Sequence, residues 1–226
     1  MWHPPGNIVL MSDPRVTAIP VHDTGEPLAD ARGRLRVRPG GPEGTHVRAA
    51  GPDGTHAHLR AELLARLERA ERSLPDGYHL LIVEGFRSID AQREIFDGYR
   101  AELAACFPCL APAELDAATS RYVAPVEIAP HTAGAAVDLT LCAPDGTEYD
   151  MGTAVDDTPE ESDGACYTAA PGISGAARHH RKILAAALEP AGLVNYPTEW
   201  WHWSYGDRYW ALTTGAGHAL YGPASL

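Results

Sequence analysis

Two short segments hold the residues best suited to chemistry. His131-Thr-Ala-Gly-Ala-Ala-Val-Asp138 sets an imidazole and a carboxylate seven residues apart, and Glu199-Trp-Trp-His202 sets a carboxylate and an imidazole three apart. Two His and one Asp are donors that suit a hard-to-borderline divalent metal, most often zinc, with a fourth position open to water. The remaining Glu, beside the last His, is the proton acceptor that a metal-activated water needs. The combination predicts a hydrolase.

Each of these residues also has a plainer role. His131 at a strand edge could be a satisfied polar side chain. Asp138 sits opposite Val137 and Leu139 on its strand; there it either faces solvent from an edge or is buried, which costs several kcal/mol unless it is paired or bound to a cation. On an undistorted strand, residues three apart face opposite sides. Glu199 and His202 therefore reach one metal only if Glu199 precedes the strand, as a turn at Pro197 would allow, or if a bulge intervenes. The alternative is an aromatic-rich core strand with Glu199 at its exposed edge. Arg87, in Glu84-Gly85-Phe86-Arg87-Ser88, could hold an oxyanion or a substrate carboxylate bidentately, or simply pair with Glu84 or Asp90. His179-His180, between Arg178 and Arg181, reads as a solvated helix face.

A sheet with covering helices must position these groups. Residues 78–83 read as a buried strand, 135–141 as an alternating strand and 199–205 as a third. Leu59, Leu63, Leu67 and Leu74 space out a helix over 58–74, ended by Pro75-Asp-Gly77. Ser88 is an N-cap for a helix over 89–105. A short helix is expected over 112–120, a loop over 143–172, and a helix from Ser174 through Leu188. The Gly- and Pro-rich residues 1–56, with short β-like runs at 16–21 and 34–38, predict an arm packed on a main domain spanning 57–226. Strands grouped late in the chain fit α+β better than a doubly wound sheet.

The bulk composition narrows the function. At 226 residues, 45% hydrophobic and 21% charged, the chain suits one well-packed domain. A net charge of -12 opposes a nucleic-acid partner. No apolar run is long enough for a membrane span, and the opening residues lack the pattern of a secretory signal, so a cytoplasmic location is expected. Cys106-Phe-Pro-Cys109 has the spacing of a redox or zinc pair, but no second such pair completes a four-sulfur site. It and Cys142 and Cys166 are expected to be reduced structural thiols.

Gly85-Phe86-Arg87-Ser88, His131-x-x-Gly134-x-Ala136-x-Asp138-Leu-Thr and Glu199-x-Trp-His202 stand in the same order in the D-alanyl-D-alanine metallopeptidases. The chain most closely resembles their cytoplasmic D-Ala-D-Ala dipeptidases of the glycopeptide-resistance (VanX) type, Met151-Gly152-Thr153 included. The resemblance implies an α+β fold with a small, mostly antiparallel sheet and helices packed on one side, the fold shared with hedgehog signalling domains. It implies one zinc per chain on His131, Asp138 and His202, with Glu199 as catalytic base and Arg87 stabilising the transition state. Asp156, five residues after Met151, would receive the ammonium of a small dipeptide substrate. In one respect the chain departs from the pattern: Ala129-Pro130 replaces a Ser-Ser pair just before the first zinc His. Neither side chain can donate a hydrogen bond, and Pro130 has no N–H, so the substrate carboxylate is held differently or the substrate differs. Two alternatives are a D,D-carboxypeptidase acting on peptidoglycan-type peptides, which would need export, and a non-catalytic zinc-binding module, which the presence of Glu199 and Arg87 disfavours.

Overall fold

Leu80, Leu81, Ile82 and Val83 form an unbroken apolar run, and all four are buried, as expected of a strand covered on both faces. The computed structural model of the chain describes residues 8–40 and 54–226; the Gly- and Pro-rich residues 41–53 lie outside the described residues. Chain order begins α1 (Pro14–Thr17), β1 (Leu28–Asp30), β2 (Arg36–Val37), a 3₁₀ turn (Thr55–Ala57), β3 (His58–Arg60) and α2 (Ala61–Glu71). It continues β4 (His79–Glu84), α3 (Ile89–Cys106), α4 (Pro112–Thr119), a second 3₁₀ turn (Pro130–Ala133) and β5 (Ala136–Cys142). The chain closes with α5 (Gly175–Leu188), β6 (Val194–Asn195), β7 (His202–Ser204) and α6 (Arg208–Thr214).

The main sheet has the order β2-β4-β5-β7-β6, and only β2 and β4 run parallel. This is the expected α+β architecture with a small, mostly antiparallel sheet. A second, two-stranded sheet pairs β1 with β3, so residues ahead of position 56 contribute to both sheets. Among the described residues no helix is long and apolar enough to cross a membrane.

Register is what makes the sheet useful. Glu84 on β4 pairs with Asp138 on β5, across an irregularity after Ile82. Asp138 in turn pairs with His202 on β7. Side chains of directly opposed antiparallel residues lie on the same face, so three chemical groups stand in a row across three strands. The alternate residues Val137, Leu139 and Leu141 join the main core with Leu63, Leu64 and Leu67 of α2, Leu184 and Leu188 of α5, and Trp203. α2 and α5 also touch each other. Burial of each such side chain contributes roughly 1.5–3 kcal/mol. Helices α3 and α4 pack together through a separate cluster that includes Ile95, Tyr99, Leu115 and Val123.

Three expected elements differ. The run over 16–21 is not a strand: Asp13 accepts a hydrogen bond from the Arg15 N–H at 2.8 Å and Pro14 occupies the first turn, so helix α1 forms there. Residues 58–60 pair with β1 as a strand, and the helix expected from His58 starts at Ala61. The last long strand begins only at His202, because a turn intervenes: the Glu199 N–H donates to the Tyr196 carbonyl at 2.9 Å, and the His202 N–H to the Glu199 carbonyl at 3.2 Å. Ser88 and Ser174 cap α3 and α5 as expected, each accepting from a backbone N–H.

Candidate active site

His131 is held by the 3₁₀ turn that precedes β5. Its Nδ1–H donates to the carbonyl of Gly85 at 2.7 Å, which leaves Nε2 as the lone-pair nitrogen. Gly85 can be no other residue here, since a Cβ would lie 2.5 Å from the carbonyl oxygen of His58. The turn ends at Gly134, whose φ of 63° lets the chain swing into β5. His131 Nε2 then lies 3.3 Å from Asp138 Oδ2 and 3.2 Å from His202 Nδ1, and His202 Nδ1 lies 3.0 Å from Asp138 Oδ1. All three residues are buried, and their ligand atoms fall within 4.8 Å of one another. Two imidazoles and a carboxylate converging this closely fit a divalent cation. Among the described residues this is the one such cluster. Burial works against charge on both His131 and Asp138, but their mutual attraction outweighs it. The His131 pKa is raised and the Asp138 carboxyl is held well below the usual range, His202 also helping to lower it.

The turn before β7 brings Glu199 to the same point, its Oε2 lying 3.6 Å from His202 Nδ1. Its Oε1 is buried with no hydrogen-bond partner. Burial and then the negative charges of Asp138 and Asp156 push its pKa well above the ordinary glutamate range. Asn195 Nδ2 fixes the turn by donating to the carbonyls of Glu199 and His202, each at 3.0 Å.

Arg87 follows β4 directly. Glu84 grips its guanidinium through both oxygens, one bond measuring 2.8 Å, and Gln92 accepts from it at 2.9 Å. Burial opposes its charge, but Glu84 outweighs that and raises its pKa. Asp156 lies in the long segment between β5 and α5 with a left-handed φ of 72°, a conformation a non-glycine residue keeps only when its surroundings enforce it. The Tyr122 hydroxyl donates to its carbonyl at 2.7 Å. Its Oδ2 is buried without a partner, and burial followed by the Asp138 and Glu84 charges lifts its pKa to about 8. Arg87, His131, Asp138, Asp156, Glu199 and His202 all line one pocket.

The D-ala-D-ala dipeptidase family of peptidases matches residues 55–214. The chain belongs to this family. Like the rest of the D-Ala-D-Ala dipeptidase family, it is a metallopeptidase hydrolase. A D-alanyl-D-alanine dipeptidase of Synechocystis sp. is 29% identical over 218 residues, which cover 86% of this chain and 87% of that protein. One from Escherichia coli is 32% identical over 115 residues, 49% of this chain and 53% of its own. One from Enterococcus faecium is 37% identical over 79 residues, 34% of this chain and 37% of its own.

Several pocket residues of this D-Ala-D-Ala dipeptidase family member carried no sequence signal. Gln92 braces Arg87 while its Nε2 donates to the Ala124 carbonyl at 2.8 Å; nothing in a helical Gln announces that. Met11, Tyr122 and Tyr196 form apolar wall. Met11 reaches the pocket from the N-terminal arm, its N–H donating to the Tyr196 hydroxyl at 3.2 Å. Ala129 and Pro130, the departure noted in the sequence, lie on the same lining. The other singled-out groups are elsewhere: Cys106 and Cys109 are exposed and free, Cys142 and Cys166 buried and free. His179 is exposed as expected, and His180 is half-buried. Its Nδ1 donates to the Asp150 carbonyl at 2.7 Å and its ring packs on Tyr149.

Proposed function

We propose that this chain hydrolyses D-Ala-D-Ala, or a closely related D-amino-acid dipeptide, using one zinc ion held by His131, Asp138 and His202. The observation that carries the reading is the unpartnered Glu199 Oε1, buried beside three converging ligand atoms. A buried carboxylate without a donor is costly, and it is accounted for if a water and then a substrate amine face it. The surroundings call for a cation as well: Glu84, Asp138, Asp156 and Glu199 crowd around one arginine.

When bound, zinc supplies a Lewis acid that polarises the scissile carbonyl and acidifies a water. The protein's own groups do the rest. Glu199 takes the proton of the attacking water and hands it to the departing amine. Arg87 commits three of its five N–H groups to Glu84 and Gln92, leaving two for the oxyanion that develops. Asp156 receives the substrate's free ammonium; the cation reverses the repulsion that keeps this carboxyl protonated, so binding and ionisation proceed together. The N-terminal arm, through Met11, closes the apolar wall of a catalytic unit spanning 57–226.

The test is amine release by the zinc-loaded protein from D-Ala-D-Ala, L-Ala-L-Ala and a D-Ala-D-Ala-terminated tripeptide. Cleavage of the D,D-dipeptide alone is expected. Cleavage of the tripeptide with equal efficiency would make the protein a carboxypeptidase, and tight zinc binding with no cleavage would overturn the reading.

A further inference from the structure

Helix α5 buries a charge that the chemistry above does not use. Arg181 is 6% exposed, and among the described residues no carboxylate pairs with it. Its bonded acceptors are backbone carbonyls: Met151 at 2.8 Å, Tyr167 at 2.7 Å, Ala165 at 2.9 Å and, more weakly, Thr168 at 3.4 Å. Burial draws its pKa down to about 10, the mark of a cation buried without a counter-charge. For stability alone an apolar side chain would fill the same space without that penalty. A guanidinium is worth burying where several acceptors must be held in one fixed arrangement, because its planar fork sets direction as well as distance.

What it holds together is the segment that carries Asp156. Met151 lies five residues before Asp156, and Ala165, Tyr167 and Thr168 lie beyond it, so one side chain clamps both ends of a stretch with no helix or strand of its own. The same stretch is tied to the base. The Trp200 N–H donates to the Cys166 carbonyl at 3.0 Å, and Trp200 Nε1 to Thr153 Oγ1 at 2.8 Å. Trp200 directly follows Glu199, and the Arg181 guanidinium sits 5.5 Å from the centre of its ring.

We propose that Arg181 is a positioning residue that holds Asp156 in its strained, pocket-facing conformation, so that it governs selection for substrates with a free ammonium group. The inference rests on the reading of Asp156 as the ammonium acceptor. The metal ligands stand on the second 3₁₀ turn, β5 and β7, outside the clamped segment, so zinc binding does not depend on it.

The experiment compares D-Ala-D-Ala with its desamino analogue, N-propionyl-D-Ala, in the wild-type protein, Arg181→Lys, Asp156→Asn and the double variant. Thermal melting and zinc content are measured alongside. The wild type favours the ammonium-bearing substrate. Arg181→Lys keeps one zinc and lowers that preference by about ten-fold or more, chiefly through the KM of D-Ala-D-Ala, as loss of a charged hydrogen bond would. Added to Asp156→Asn, it lowers the preference no further. Arg181→Gln, which removes the buried charge and keeps donors, gives the same readout if the lysine variant fails to fold. An unchanged preference in a folded Arg181 variant, or an equal loss on both substrates, overturns the proposal while leaving the dipeptidase reading intact. No preference in the wild type overturns the ammonium reading, and this inference with it.

Discussion

The His131–Asp138–His202 cluster and the Asp156 segment meet in one pocket but are built by opposite means. Asp138 and His202 sit on hydrogen-bonded strands whose register leaves no freedom of placement, and His131 is locked to Gly85, the residue just past the neighbouring strand β4. Asp156 stands in a stretch of irregular backbone whose shape depends on side chains reaching in from elsewhere: Arg181, Tyr122 and Trp200. A sheet positions groups through backbone periodicity, whereas a loop does so through particular long-range bonds. On the proposed function, damage to the first should remove the chemistry and damage to the second should degrade recognition.

The largest expected effect tests the sheet side. His202→Ala removes a ligand from a strand whose fold is set by its neighbours; metal analysis should find no tightly bound zinc, and peptidase activity should fall to background. Retention of one zinc would mean that the cluster is not the ligand set. Arg87→Lys keeps a charge but loses the bidentate grip on Glu84, so steady-state kinetics should show kcat reduced by about 10²–10³-fold with zinc retained, the scale of losing an oxyanion donor. A change confined to KM would place Arg87 on the ground-state substrate instead.

On the loop side, Asp156→Asn should raise KM by roughly 10–100-fold with zinc content unchanged. If it abolished zinc binding, the separation between the two regions would collapse. The smallest effect concerns pH. In the metal-free protein burial opposes charge on His131 but Asp138 outweighs it, so the imidazole keeps its proton to higher pH than a free one, and a ligand imidazole must give that proton up. Zinc binding should therefore release protons, with apparent affinity rising as pH rises and levelling off above the His131 pKa. Calorimetry in buffers of different ionisation enthalpy reads this directly, and a pH-independent affinity would show that His131 is not a ligand.

The same contrast explains what was legible in the sequence. Asp138 opposite Val137 and Leu139 has the period of a strand, and alternation alone places it on the face away from the core. The β4, β5, α3 and α5 segments are readable for similar local reasons, including the Ser88 and Ser174 caps. Glu199 and His202 were ambiguous because a strand would separate them, and the deciding turn depends on Asn195 bonding two carbonyls across the corner. Arg181 was unreadable: its partners are carbonyls 13 to 30 residues away, and a carbonyl has no residue-specific signature. α1 was misread because β-branched residues outweighed the stronger local signal, Asp13 followed by Pro14.

The most direct measurement of the central claim pairs zinc content with D-Ala-D-Ala turnover for the wild type and Glu199→Gln. The substitution preserves shape and removes the proton acceptor. It should bind one zinc per chain as the wild type does and lose about 10²-fold or more in kcat. Wild-type turnover in Glu199→Gln would contradict the assignment of Glu199 as the base.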